Sequence, residues 1–238
     1  MKCKKKLAFL FVLHIFFVPL PDNMKYDNYI FDLDGTLLDT LADLATSCNY
    51  ALRKHGMPER TVDEVRLFVG NGVRKLILRA VPEGTENALA EDVLATFRQH
   101  YGQHSLDTTH PYDGITDMLK AMKSQGKGLA VVSNKFSQAT ESLIAHFFGD
   151  YIHVAIGENE AAGIRKKPAP DTVLEAMRRL GADAKNTVYV GDSDVDIVTA
   201  KNCEIPCISV LWGFRSREFL LEHGATTFAE TPDELLMI

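Results

Sequence analysis

The stretch YIFDLDGTLLDT, residues 29–40, places two carboxylates at the end of an apolar run of strand length. The apolar residues predict a buried β-strand, and an acidic residue at its end interrupts that pattern. Alternate residues of an extended chain point to the same side, so Asp32 and Asp34 start about 6–7 Å apart at their Cα atoms. Gly35 allows the backbone to turn close to a ligand, and Thr36 can hydrogen-bond nearby groups. The pair suggests acid chemistry, although a turn that only caps a strand has the same D-x-D pattern.

Further apolar runs of strand length alternate with amphipathic helical stretches along the chain. This alternation predicts an α/β fold, a doubly wound, mostly parallel sheet with a Rossmann-like core. The predicted strands are residues 28–33, 128–132, 154–156, 187–190 and 207–211. Three of them end in the polar residues Asp32, Ser133 and Asp192. Because ligands of open α/β sheets bind beyond the carboxyl ends of the strands, we expect these three side chains to converge.

The segment from about residue 58 to residue 110 departs from this alternation. It contains helical patterns, such as residues 73–80 and 90–101, with no convincing strand between them. We therefore expect a small α-helical cap inserted after the first strand, able to close over the strand ends as a lid. The predicted division is a core of residues 24–40 and 110–238 and a helical cap domain of residues 41–109.

A second acidic cluster, VYVGDSDVDI at residues 188–197, also follows an apolar strand. Its first carboxylate, Asp192, should lie at the same sheet edge as Asp32, where several carboxylates repel one another unless a hard cation such as Mg²⁺ holds them. The D-x-D-x-D rhythm resembles an EF-hand loop, which needs glycine at its sixth position and glutamate at its twelfth. This chain has Ile197 and Cys203 there, which excludes a calcium-sensor loop.

Two other motifs suit a phosphate group. In VVSN, the Ser133 hydroxyl and Asn134 stand at a strand end where a helix is about to begin, which is a favourable anion site. In IRKKPAPD, Lys166 and Lys167 precede a P-x-P that we expect to hold the loop extended. A lysine beside an acidic site screens the carboxylates and binds phosphate as a point charge.

Taken together and in this order, FDLDGT, VVSN, KPAP and GDSDVDI resemble the motifs of the haloacid dehalogenase-like hydrolases. The resemblance extends from about Tyr26 to the C-terminus. It implies that Asp32 is the nucleophile that forms a phosphoaspartate and that Asp34 is the acid/base. The dehalogenases of the family lack an acid at the position of Asp34, so its presence favours phosphoryl chemistry.

The same resemblance assigns the remaining catalytic roles. It implies that Ser133 and Lys167 hold the phosphoryl group, with Lys166 as the alternative lysine. It implies a Mg²⁺ cofactor bound by Asp32, Asp34 and Asp192, and it places Asp196 behind the site as support, often through the lysine.

The insertion is similar to the cap of the phosphoglycolate phosphatase group, on the residues LFVGNGVRKLILRAV at 67–81. Gly70 and Gly72 would let a cap loop face the site, with Arg74 or Lys75 near an anionic substrate tail. A helix break with solvated basic residues is the alternative explanation of this segment. The expected substrate-binding residues are Gly35, Thr36, Asn134, Gly72 and Arg74.

The net charge of the protein limits the kinds of molecule that it can bind. Counted from Met24, 22 basic residues face 31 acidic ones, a net charge of −9. Such a body is a poor partner for nucleic acid or an anionic membrane, and it repels a phosphate ester unless a cation intervenes. We expect the substrate to be a small phosphorylated metabolite, and the alternative substrates are pyrophosphate, a nucleotide or a sugar phosphate. The alternative functions are a phosphomutase reaction and binding of a phosphate ligand without turnover. Either a monomer or a homodimer is compatible with the sequence.

The first 23 residues are basic and then apolar, KCKKK followed by LAFLFVLHIFFVPL. They have the basic and apolar regions of a secretory signal without a small-x-small cleavage site, and the apolar run is short for a membrane span. We favour Met24 as the true start and a cytoplasmic enzyme; a genuine leader would mean export or anchoring. The scattered cysteines, which form no C-x-x-C, agree with a reducing compartment.

Overall fold

The computed structural model describes residues 25–159 and 163–238 of the chain. The predicted leader, residues 1–23, and the alternative start at Met24 lie outside the described residues. The strands are β1 (Asn28–Phe31), β2 (Leu38–Asp39), β3 (His110–Pro111), β4 (Gly128–Phe136), β5 (Val154–Glu158), β6 (Thr187–Gly191), β7 (Cys207–Val210) and β8 (Phe228–Ala229). The helices are α1 (Leu41–Lys54), α2 (Val62–Phe68), α3 (Val73–Ala80), α4 (Asn87–His104), α5 (Ile115–Ser124), α6 (Ser137–Phe148), α7 (Asp171–Leu180), α8 (Asp194–Asn202) and α9 (Arg217–Glu222). Over these residues, every helix is too short or too polar to cross a membrane.

Six strands form one sheet in the order β5-β4-β1-β6-β7-β8, and every neighbouring pair is parallel. The central strand, β1, is buried on both faces, because Tyr29 and Phe31 enter one apolar cluster and Ile30 enters another. Helices α5 and α6 cover the first cluster, and α7 and α8 cover the second. The predicted doubly wound parallel sheet is therefore confirmed.

The structure differs from the sequence prediction mainly in strand lengths. Strand β4 continues to Phe136, four residues beyond the apolar run, with an irregular register against β5 between Val132 and Phe136. The polar residues Ser133, Asn134 and Lys135 are buried in this extension. A hydrophobic pattern could not predict it, since these side chains are buried in the wall of a cavity rather than in an apolar core.

The helical insertion has its own apolar cluster, to which α1, α2, α3 and α4 all contribute. The chain enters and leaves this segment through the antiparallel pair β2–β3, in which Leu38 pairs with Pro111 and Asp39 with His110. The separate cluster and the paired crossing support our proposed division into a core and a cap. Only a few core side chains join the cap cluster, among them Ala139, Phe136 and Phe214.

Candidate active site

The carboxyl edge of the sheet carries a cavity under the helical insertion. Asp32 directly follows β1, Asp192 directly follows β6, and Ser133 lies within β4, and all three line this cavity. Their exposed fractions are 7%, 2% and 2%, so the polar groups are almost removed from solvent. The structure thus brings together the three strand-end residues, as the parallel topology predicts.

Lys167 is the centre of a buried ionic network. Its Nζ lies 2.7 Å from Asp32 Oδ1 and 2.8 Å from Asp196 Oδ1, and it donates a hydrogen bond of 3.0 Å to the Tyr189 hydroxyl. Burial by itself would lower the pKa of Lys167, but the charges of Asp196 and Asp32 raise it above its ordinary value. The side chain is therefore an ammonium group held against the candidate nucleophile.

The two candidate lysines of the loop before α7 differ in their position relative to the cavity. Lys167 belongs to the cavity wall, and Lys166 does not. The loop is not extended as the P-x-P pattern predicts, because the Ala169 N–H donates to the Lys166 carbonyl at 3.0 Å and closes a turn. The turn directs Lys167 inward.

Asp34 is held by groups on two other elements. Its Oδ1 accepts a hydrogen bond of 2.6 Å from the Thr40 hydroxyl and lies 2.9 Å from Lys135 Nζ. The Lys135 ammonium also lies 4.6 Å from the centre of the Tyr101 ring, which belongs to α4. Burial opposes the charge of Lys135, yet Asp34 and Tyr101 raise its pKa above the ordinary value. Lys135 therefore joins the core, the candidate acid/base and the cap.

Sequence reasoning missed Lys135. The signal was present, since it stands two residues after Ser133 in the same strand and alternate strand residues share a face. The Ser133 Oγ accepts a hydrogen bond of 3.1 Å from the Lys135 backbone N–H, so the two residues form one compact unit.

Three carboxylates crowd together beside this network. Oxygen atoms of Asp32, Asp192 and Asp196 all lie within 4.8 Å of one another. Asp196 is occupied on both oxygens, because Oδ1 faces Lys167 and Oδ2 accepts from the Ser193 hydroxyl at 2.6 Å. Asp32 and Asp192 line the cavity, whereas Asp196 does not, so Asp32 and Asp192 are the members of the cluster better placed to bind a ligand.

The electrostatics of these acids fit a hard cation. Burial and the charge of Asp196 raise the pKa of Asp192 to about 7, although a hydrogen bond from the Phe214 N–H lowers it. Burial and Asp196 likewise raise the pKa of Asp32 well above its ordinary value, against the opposing charge of Lys167. Excess negative charge on oxygen donors in a buried pocket is the environment that Mg²⁺ relieves.

The structure brings only part of the predicted metal set into one carboxylate cluster. The Asp34 carboxylate does not belong to the cluster of Asp32, Asp192 and Asp196, because its Oδ1 is held by Thr40 and Lys135. The Asp34 oxygens left for a metal are therefore Oδ2 and the main-chain carbonyl.

Gly35 and Thr36 lie at the site but contact Asp192 rather than face the cavity. Gly35 has a φ of 87°, and a β-carbon there would collide with the Asp192 carboxylate and lie 2.9 Å from the Phe214 ring. The Thr36 hydroxyl donates to Asp192 Oδ1 at 3.4 Å. Both residues lie against Asp192 and neither is among the residues that line the cavity, so their expected role in substrate binding stays a prediction.

The cap forms the roof of the cavity, with Val69, Gly70, Gly72, Val73 and Leu76. Gly72 precedes α3 with a φ of 86°, a left-handed conformation that favours glycine. Asn134 connects the helical insertion with the core, since its Nδ2 donates to the Gly70 carbonyl at 3.1 Å and to the Lys167 carbonyl at 3.0 Å. Its buried Oδ1 has no hydrogen-bond partner among the described residues and is available as an acceptor.

Arg74 does not line this cavity. Its guanidinium pairs with Glu91 at 2.6 Å on the exposed surface, while Val73, Leu76 and Ile77 supply the buried face of α3. Its position therefore does not support the expected contact with substrate. Among the described residues, the arginine in the cavity wall is instead Arg215, which lies beside Phe214 after β7, where no periodic sequence pattern would have indicated it.

Comparisons with known proteins agree with this geometry. Residues 29–210 match the model of the haloacid dehalogenase-like hydrolase family. The chain is similar to the phosphoglycolate phosphatase of Aquifex aeolicus, with 33% identity over 78% of this chain and 84% of the relative. It is 32% identical to that of Pseudomonas putida over 85% of this chain and 73% of the relative.

Among solved structures, a Lactobacillus delbrueckii protein assigned as a phosphoglycolate phosphatase superposes with a TM-score of 0.85 and 38% identity. That match covers 90% of this chain and 98% of the other.

Proposed function

The chain belongs to the haloacid dehalogenase-like hydrolases, in the phosphatase group that resembles phosphoglycolate phosphatase, and on that premise we propose its reaction and mechanism. We propose a Mg²⁺-dependent phosphomonoester hydrolase that works through a phosphoaspartate on Asp32, with 2-phosphoglycolate as the expected substrate. The observation that carries the proposal is one buried cavity lined by Asp32, Asp34, Ser133 and Lys167.

The proposed Mg²⁺ would be held by carboxylate oxygens of Asp32 and Asp192 and by an oxygen of Asp34. Asp196 is assigned to Lys167 instead, because its Oδ1 lies 2.8 Å from Lys167 Nζ and the residue does not line the cavity. When bound, the ion supplies positive charge that offsets the carboxylates and the phosphate oxygens.

The protein's own groups perform the transfer. An Asp32 oxygen attacks phosphorus, and the phosphorus–oxygen bond to the leaving alcohol breaks. The Lys167 ammonium and the Ser133 hydroxyl bind the phosphoryl oxygens, on which the transition state concentrates charge. Asp34 protonates the leaving oxygen and then takes a proton from the water that cleaves the phosphoaspartate, which regenerates Asp32.

The substrate assignment rests on the relatives, whose names specify phosphoglycolate phosphatase. The roof supports a small substrate, because apolar cap residues such as Val69 and Leu76 cover the cavity closely. Pyrophosphate, nucleotides and sugar phosphates stay as alternative substrates of the same core.

The decisive experiment measures release of inorganic phosphate from a panel of esters, including 2-phosphoglycolate and p-nitrophenyl phosphate, with Mg²⁺ and with excess EDTA. We expect turnover with Mg²⁺, loss with EDTA, recovery after Mg²⁺ is restored, and the highest kcat/KM for 2-phosphoglycolate. No turnover of any ester by folded protein would favour phosphate-ligand binding, and a higher kcat/KM for another ester would reassign the substrate.

A further inference from the structure

A core arginine donates hydrogen bonds to the backbone of the cap. Arg215 Nη1 donates to the Arg66 carbonyl at 2.8 Å, and Nη2 donates to the carbonyls of Leu67 at 3.3 Å and Val69 at 2.8 Å. Arg215 lies between β7 and α9, in the core, whereas its three acceptors lie at the end of α2 and just after it, in the helical insertion.

The chemistry of this contact is favourable at both ends. The last carbonyls of a helix lack partners within the helix and carry the negative end of its dipole. A guanidinium group presents several donors in a rigid plane, so one arginine can satisfy several carbonyls together. Within residues 25–159 and 163–238, Arg215 forms no ion pair with a carboxylate, and its recorded hydrogen bonds all go to these cap carbonyls.

The cap segment that Arg215 contacts belongs to the roof of the candidate catalytic cavity. Val69 and Gly70 line the cavity together with Arg215, and a β-carbon added to Gly70 would lie 3.9 Å from Arg215 Nη2. On the core side, the backbone N–H of the preceding residue, Phe214, donates to Asp192 Oδ2 at 2.7 Å. Two consecutive residues therefore connect a candidate metal ligand to the backbone of the cap.

We propose that Arg215 is a positioning residue that holds the loop of residues 66–70 over the cavity and so sets the fraction of molecules with a closed cap. The kinetic part rests on the proposed function. When substrate binds only the closed form, the apparent dissociation constant rises as the closed fraction falls, and saturating substrate restores closure. Loss of the contact should then raise KM much more than it lowers kcat.

The first test is amide hydrogen exchange in residues 66–73, which does not require activity. In Arg215→Met we expect roughly tenfold faster exchange there than in the wild type, because charge-assisted hydrogen bonds are lost. Arg217→Met is the matched control, since Arg217 pairs with Glu230 at 3.7 Å and lies 4.4 Å from the Phe228 ring, away from the cap. Wild-type exchange in Arg215→Met would overturn the proposal.

The second test is steady-state hydrolysis of 2-phosphoglycolate. We expect Arg215→Met to raise KM roughly tenfold with kcat within about twofold of the wild type, and Arg217→Met to change neither. Arg215→Lys should recover part of the effect, and it serves as the second variant if Arg215→Met does not fold. A fall in kcat at unchanged KM would overturn the proposal. Absence of turnover in the wild type would refute the proposed function alone, and hydrogen exchange would still decide the role of Arg215.

Discussion

The candidate site holds more carboxylates than ammonium groups. Asp32, Asp192 and Asp196 place three carboxylates within 4.8 Å, and Lys167 is the ammonium in contact with two of them. The other buried lysine of the cavity wall, Lys135, is paired with Asp34. Burial and the surplus negative charge together raise the pKa of Asp192 and that of Asp32. A bound divalent ion would offset this surplus negative charge.

Replacement of the proposed nucleophile gives the sharpest prediction for a single residue. Asp32→Asn should lower kcat by about a thousandfold or more, because an amide oxygen cannot form the phosphoaspartate. The fold should persist, because the change is isosteric and Lys167 retains Asp196 as a partner. Steady-state phosphate release and thermal unfolding monitored by circular dichroism would measure the two effects.

Asp194→Asn is the matched control for this change. Asp194 is the first residue of α8 in the same acidic stretch, but it is outside the carboxylate cluster, so its variant should retain activity within about twofold. Acid-quenched reactions with phosphate-labelled substrate should label the wild type and the control, but not Asp32→Asn. Labelled Asp32→Asn protein would exclude this residue as the nucleophile.

The sequence predicted the acids and the strand-end serine because their positions follow from strand boundaries. Lys135 lies one residue beyond the VVSN motif, and Arg215 lies in an irregular loop with no repeating pattern. Arg74 carries a suitable charge near two glycines, but the helical period places it on the outer face of α3. A sequence indicates which side chains share a face more readily than which loops approach one another.

At the scale of secondary-structure elements, Asp43 ties the beginning of the cap to its end. It lies in the first turn of α1, is 3% exposed and accepts hydrogen bonds from the backbone and hydroxyl groups of Thr108 and Thr109. Those threonines immediately precede β3. One buried carboxylate therefore connects the first and last residues of the insertion by hydrogen bonds, next to the paired strands β2 and β3.

We predict that Asp43→Asn lowers the free energy of unfolding by about 2 kcal/mol near neutral pH, because the amide loses acceptor capacity toward a set of donors. Burial opposes ionisation, but the hydrogen bonds from Thr108 and Thr109 outweigh it and lower the pKa of Asp43 from its ordinary value. A lowered native pKa gives a contribution that is full above the unfolded pKa and is lost on acidification.

Urea unfolding from pH 7 to pH 3 would test this prediction. The difference between wild type and Asp43→Asn should stay constant down to about pH 5 and shrink below about pH 4. Asp117→Asn is a suitable control, because Asp117 also lies in the first turn of a helix, α5, but is exposed. A difference that grew on acidification would contradict the assignment of these bonds to an ionised Asp43.

Elements with a long repeating pattern were predictable, and very short ones were not. The helical pattern at residues 73–80 coincides with α3 (Val73–Ala80), where apolar residues recur on one face. Strands β2, β3 and β8 each have two residues, too few for any alternation to be visible. Their pairing depends on distant parts of the chain, which a local pattern does not contain.

For the molecule as a whole, the acid cluster predicts stabilisation by Mg²⁺. An ion that binds only the native state at a hundred times its dissociation constant adds about 2.7 kcal/mol of stability, or roughly 5–10 °C in Tm for a chain of this size. We expect such a rise for the wild type in differential scanning calorimetry, and its reversal by EDTA.

The variant Asp192→Asn distinguishes site binding from a general salt effect. It should lose the Mg²⁺ response, yet without metal it should be at least as stable as the wild type above pH 7. The reason is that burial and Asp196 oppose ionisation of Asp192, so its removal relieves repulsion in the native state. A full response to Mg²⁺ in this variant would place the ion elsewhere.

The paired crossing of β2 and β3 also bears on how such enzymes diversify. Leu38 and Asp39 leave the core beside Pro111 and His110, so the ends of the intervening segment are neighbours. A segment whose ends meet can be exchanged for one of different length or composition while the surrounding scaffold keeps its shape. Chimaeras joined at these two positions should therefore graft foreign caps onto an unchanged reaction centre. Natural variation could use the same junction to acquire new substrates without rebuilding the chemistry.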